Sequence, residues 1–264
     1  MLSATLYRFR RDLAKKPWII LIVIIAIAFS AMMIWSASLS SGGDDAVRDP
    51  SLAIGGINII LIALFDFIFV SGLKNGVVGF SFADVNFHLA GPFSQKFNLM
   101  LAASGVLKMC LLFLWVLVCQ SSVLGSALGL NSTDMIGLIG GALVVLCIGY
   151  LLAAFLGAYY NESDKAIRNI EIILGGVNAL VIGANLVSLL KTYGSFQALG
   201  ALGFRGIIAT AGSSMWTQLF PIAGWTNLVY SGFVFKDMLF VVVGVLLVIA
   251  SAVTVFILYN RIDI

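Results

Sequence analysis

Long apolar runs constrain this chain more than any other feature. Trp18–Leu39, Leu52–Gly72 and Met238–Tyr259 are each apolar over about 20 residues, the length an α-helix needs to cross the hydrocarbon of a bilayer. In lipid every backbone N–H and C=O must be satisfied inside the structure, so only helices or a closed barrel are open to such a chain. The runs do not alternate apolar and polar positions, which decides for helices. Composition agrees: 61% of the residues are hydrophobic and 10% are charged, against about 25% charged in soluble domains. The expected fold class is all-α, a polytopic membrane protein forming one transmembrane domain over residues 1–264. Its expected surroundings are the lipid bilayer, with no nucleic acid.

Residues 1–16 carry Arg8, Arg10, Arg11, Lys15 and Lys16 beside Tyr7, Phe9 and Leu13. This is the make-up of an amphipathic helix lying on an anionic membrane surface. Pro17 opens the first span, a position where proline is tolerated, and the run after it is too long for a signal peptide. Six spans are expected, at about 18–39, 52–72, 109–130, 135–160, 172–190 and 238–259, with Lys108 snorkelling at the edge of the third. Asn161–Glu171 reads as the most polar internal loop. Residues 191–236 are too irregular for a clean span: they hold Arg205, many glycines, Ser213-Ser214, Pro221 and Gly224-Trp225. They read as re-entrant or extracellular helices before span 6, with 206–224 alternatively a poor seventh span. Irregular backbone at membrane depth is tolerated only where it is buried in protein or lines a wet cavity.

Lys and Arg mark the cytoplasmic side of a membrane protein. Six spans place the N-terminus, 73–97, 161–171 and the C-terminus together with ten Lys and Arg, against Arg48, Lys191, Arg205 and Lys236 opposite. Both termini are therefore expected in the cytoplasm, together with the stretch Phe80–Phe97, FSFADVNFHLAGPFSQKF. In that stretch Ser81 and Asp84 have the spacing of a helix start, and Gly91-Pro92 ends the helix. Phe82, Val85 and Leu89 share one face at i, i+3, i+7, while Asp84 and His88 stand on another. A short amphipathic helix of this kind can offer a shaped face to a partner; the plainer reading is an interfacial loop helix.

Asp66 is the only acidic residue well inside a span. An intramembrane carboxyl group can serve a proton or cation site, but this one has no ionisable partner in its span, and a helix contact or a hydrated wall fits it better. His88 is the sole histidine and cannot build a metal site that needs three or four ligands. Cys110, Cys119 and Cys147 all lie in apolar runs and read as packing residues. Gly72/Gly76, Gly125/Gly129 and Gly137/Gly141 have the spacing of close helix packing. The sequence offers no catalytic constellation and no metal or cofactor site. It also lacks G-x-x-x-x-G-K-[ST], so ATP-driven work requires a separate ATPase subunit.

The run Ser81-Phe82-Ala83-Asp84-Val85-Asn86-Phe87 followed by Gly91-Pro92-Phe93-Ser94 resembles the segment after the second span in a bacterial family of ATP-binding-cassette exporter permeases. Phe87 or His88 falls where that family more usually has leucine. Phe220-Pro221-Ile222-Ala223-Gly224-Trp225 is similar to the family's P-x-x-G-W before the last span, and the six-span layout also fits. The resemblance implies that the chain is a transmembrane permease subunit in the plasma membrane. A cytoplasmic coupling helix between spans 2 and 3 would enter a cleft on an ABC-type ATPase subunit, using Phe82, Asp84, Val85, Phe87, His88, Leu89, Pro92 and Phe93. Pro221, Gly224 and Trp225 would form an outer gate. A second permease unit, identical or not, would complete the path, and ATP and Mg would bind on the ATPase. The chain would be either a half-length permease or the first part of a longer one. An ion- or proton-coupled secondary transporter and a non-transporting membrane scaffold are the competing readings.

Overall fold

The computed structural model describes residues 49–75, 113–160 and 164–261. The basic N-terminal segment, the expected first span and the stretch 80–97 lie outside them. All regular structure among the described residues is helical.

Helix α1, Pro50–Asn75, follows Asp49, whose Oδ1 accepts from the backbone N–H of Ser51 at 3.0 Å and Leu52 at 3.4 Å, satisfying donors that a helix start leaves free. A helical stretch at 113–119 turns at Gln120 into α2, Ser121–Leu128. It stops at Gly129, which takes a left-handed φ of 66°, a conformation glycine adopts without strain. Helix α3, Ser132–Val144, starts on a capping box: Asn131 Oδ1 accepts from the N–H of Asp134, and Asp134 Oδ2 accepts from the N–H of Asn131. It continues through a π-helical turn, Val145–Gly149, into α4, Tyr150–Tyr159. Helix α5 is Asp164–Tyr193. Four short helices follow: α6, Phe196–Ala201; α7, Gly203–Gly212; α8, Met215–Gln218; and α9, Ala223–Phe235. Helix α10, Met238–Arg261, closes the described chain.

Four segments are long and apolar enough to cross a membrane: Pro50–Leu73, Thr133–Gly157, Lys165–Tyr193 and Met238–Arg261. They overlap four of the six expected spans. The described part of the expected span 109–130 is helical on both sides of Gln120, where the N–H of Gln120 donates to Val116 O at 2.9 Å and the N–H of Leu124 to Gln120 O at 3.0 Å. One expectation needs correction. The stretch 161–171, expected as a loop, is helical from Asp164 onward. Arg168 and Glu171 stand three residues apart, a spacing at which opposite charges support a helix. The 30 residues of α5 extend about 45 Å, longer than the hydrocarbon is thick, and the charged turns project past it.

Helices α1 and α3–α4 run side by side in the same direction. Gly141 packs on Leu61, Gly149 on Phe65, Gly72 on Ala153, and Gly157 on the backbone of Leu73. Helix α10 follows α4 in the same sense, with the Phe155 and Tyr259 rings 5.7 Å apart. Helix α5 runs the opposite way, bonding Asp66 through Asn178 and the level of Asn58 through Asn185. One end of the bundle therefore gathers Pro50, Asn131–Asp134, Tyr193 and the α9–α10 turn. Helix α1 finishes at the other end, and residues 113–130 run back along it, from Phe113 beside Phe67 to Leu128 against Gly56. Lipid tails are as apolar as leucine, so such helices are held by close packing and polar links. Gly72, Gly137 and Gly141 serve packing within this chain, and Gly129 serves as a cap.

Candidate functional site

The segment between α5 and α10 holds a network of hydroxyls and amides. Helix α7 meets α1 backbone to backbone. A Cβ on Gly55 would strike the carbonyl oxygen of Ile208, and one on Gly212 would strike the backbone of Gly55. The crossing is pinned by Asn58 Nδ2, which donates to Gly212 O at 2.9 Å. Where α7 stops, its last carbonyls need partners. Thr217 Oγ1 lies 3.1 Å from Ala211 O, 2.9 Å from Gly212 O and 2.8 Å from Ser214 O, and its single proton serves one of them at a time. Gln218 Nε2 donates to Ser213 O at 3.3 Å. Ser214 caps α8 by accepting from the N–H of Thr217 and donates its own hydroxyl to Asn185 Oδ1 of α5. One break in the chain thus ties α1, α5, α7 and α8 together.

Helix geometry sets the depth of this hub. Asn58 is eight residues from the start of α1, and Asn185 is eight from the end of α5. Both lie about 12 Å along their helices from the same end of the bundle. Beyond the hub the chain goes deeper. Phe220 is buried, with its ring edge-on to Phe65 at 5.7 Å. The chain then reverses in a γ-turn: the N–H of Ala223 donates to Pro221 O at 2.6 Å, around Ile222 at φ 59°, ψ −59°. A β-branched residue at positive φ is strained. Helix α9 returns toward the end it came from. Gly224 gives room for the carbonyl oxygens of Thr217 and Gln218, Thr226 lies with Leu61 against Gly141, and Tyr230 reaches Asp134. Residues 203–235 therefore form an in-and-out hairpin along α1. The alternative of a continuous seventh span over 206–224 is not what forms, because Ser213-Ser214 and Pro221-Ile222 break the helix.

The three residues expected at a gate meet at this reversal. Pro221 and Trp225 are half-buried and Gly224 is buried, and Trp225 O packs where a side chain on Gly244 of α10 would sit. Sequence reasoning did not single out Asn58, Asn185, Thr217, Ile222 or Asn227. The asparagines were visible as amides inside apolar runs, a signal of interhelical bonding; nothing in the sequence marks Ile222 as strained. Asn227 on α9 is fully buried, and neither polar atom of its amide has a hydrogen-bond partner among the described residues. The eight residues expected to couple to an ATPase, Phe82 to Phe93, lie outside the described residues.

A family model described as Putative ABC exporter matches residues 2–263, nearly the whole chain. The chain belongs to this family. No curated protein and no solved structure matches it. This ABC exporter family member is a multi-pass membrane protein concerned with transport.

In the exporter family member Asp66 has a neutral partner. Asn178 Nδ2 of α5 donates to Asp66 Oδ1 at 3.1 Å and to Leu174 O at 3.3 Å. The bond joins two membrane-length helices near their middles, as a structural tie would. Interhelical bonds of this kind average about 0.6 kcal/mol, so Asp66→Asn is expected to cost no more than about threefold in transport at matched membrane levels. Complete loss of transport with normal assembly would assign Asp66 to proton coupling instead.

Proposed function

We propose that this chain is the transmembrane permease subunit of an ATP-driven exporter. It lies in the plasma membrane with six spans and both termini in the cytoplasm. A second permease unit, identical or not, completes the translocation path, and separate ABC-type ATPase subunits bind ATP and Mg. The chain itself is not an enzyme and needs no cofactor of its own. The helix at 82–90 transmits ATPase closure, and the hairpin 203–235 is the outer gate.

The observation that carries this reading is the hairpin. It enters along α1, breaks at a hub of hydroxyls and amides, and leaves again, in a chain matched by an exporter family over 2–263. Broken helices at depth are tolerated where they line a cavity, and a strained turn at Ile222 is a place where two arrangements can lie close in energy. The course of residues 113–130 along α1, from the level of Phe67 to that of Gly56, supports a further crossing there.

Co-purification with the ATPase tests the assignment. Phe82→Ala is expected to weaken ATPase association about tenfold or more, because a buried large apolar side chain contributes about 1.5–3 kcal/mol. Asp84→Ala is expected to do less, as a rim charge in water contributes little. Full ATPase retention by Phe82→Ala would remove this helix as the coupling surface. Topology is checked separately by cysteine labelling, with Cys110, Cys119 and Cys147 replaced. A reagent confined to the outside is expected to label Ser41→Cys and not Ser163→Cys; equal or reversed labelling would overturn the six-span arrangement.

A further inference from the structure

Helix α5 is the least enclosed of the four membrane-length helices. Between it and the hairpin runs a groove of about 490 Å³, lined by Val177, Leu180, Gly183, Ala184, Trp216 and Phe220. Its lining residues on α5 fall near the middle of Asp164–Tyr193, where hydrocarbon flanks a crossing helix. An apolar groove at that depth is filled by apolar groups and not by water. One charge lies in line with it. Lys191 comes eleven residues after Leu180 and seven after Ala184, and both spacings return to nearly the same face of an α-helix. It is exposed in the last turn of α5, about 10 Å beyond Ala184 along the axis, at the height of lipid headgroups.

We propose that this groove is a binding site for one anionic phospholipid, with an acyl chain along 177–184 and the phosphate at Lys191. A phosphate-headed apolar chain matches both the groove and the cation above it; a purely apolar occupant matches only the groove. The proposal requires only that α5 crosses the bilayer, so it stands or falls apart from the permease assignment.

Native mass spectrometry of the full chain in mild detergent tests it, with titration by phosphatidylglycerol or phosphatidylcholine of the same acyl chains. The wild type is expected to bind phosphatidylglycerol about fivefold more tightly, the contribution of one Lys near an anionic headgroup. Lys191→Gln is expected to abolish that preference while leaving phosphatidylcholine binding unchanged. Gly183→Leu places a side chain where nothing lies within 4 Å, in a helix that leucine suits better than glycine. It is expected to fill the groove and weaken both lipids about tenfold. Unchanged binding of both lipids to Gly183→Leu overturns the site, and a preference that survives Lys191→Gln overturns the phosphate assignment. If Gly183→Leu instead splits a dimer while lipid binding persists, the groove belongs to a second copy and the proposal fails.

Discussion

Gly55→Ala is expected to detach the 203–235 hairpin from α1 and to abolish transport. The added methyl would meet the carbonyl of Ile208, which is backbone and cannot turn aside as a side chain can. Overpacking costs about 1–3 kcal/mol. Separating the helices also loses the bond from Asn58 to Gly212, a further contribution of about 0.5–1.5 kcal/mol. The control is Gly175→Ala on α5, where nothing lies within 4 Å of the added Cβ and where alanine favours the helix by up to about 1 kcal/mol. Thermal unfolding in detergent and protease access to residues 203–220 provide the comparison. Gly55→Ala should melt lower and be cut faster, while Gly175→Ala should match or exceed the wild type. Equal behaviour of the two would mean that α7 does not cross α1 at Gly55.

The second large effect is expected at Asp134. Its buried side chain accepts the N–H of Asn131 through Oδ2 and the hydroxyl of Tyr230 through Oδ1. One residue therefore starts α3 and anchors α9 to it. Asp134→Ala removes a cap partner, at about 0.5–2 kcal/mol, and takes away the Tyr230 acceptor, at about 1–3 kcal/mol. Tyr230→Phe removes only the second bond and should cost less. A double-mutant cycle between the two positions is expected to show a coupling of about 0.5–3 kcal/mol. No coupling would separate the capping role from the anchoring one and leave α9 held by packing alone.

The long helices were readable because hydrocarbon demands length and apolarity, and both are properties of the sequence itself. The first turns of α5 escape such a reading for a related reason: Asp164, Lys165, Arg168 and Glu171 look like a loop until their spacing on an extended helix is considered. The hairpin was legible as punctuation, since Ser213-Ser214 and Pro221 announce breaks. Its partners were not. Gly55 belongs to none of the small-residue pairs singled out in the sequence, and its neighbour Ile208 is more than 150 residues away. Which amide finds which carbonyl is decided by how the chain folds back, and local pattern carries no trace of it. Ile222 is the limiting case, because its backbone angle is imposed by the turn around it and contradicts its own preference.

The π-helical turn at Val145–Gly149 has a consequence for how this span tolerates length changes. Its contact row against α1 runs Gly141, Gly149, Ala153, Gly157, every step a multiple of four. In a regular α-helix each step of four advances about 40° around the axis, so such a row would wind off its neighbour before it ended. The wider turn takes up one residue of the excess and brings the inner half back into phase. Removing a single residue between 145 and 149 would give a regular helix that keeps Ala153 and Gly157 on the face toward α1, whereas relaxing the turn to α-helix with every residue retained would rotate everything beyond it by about 100° and turn them away. A one-residue deletion within these five positions is therefore a local event, whereas the same deletion elsewhere in α3 or α4 acts as a phase error carried to the end of the span.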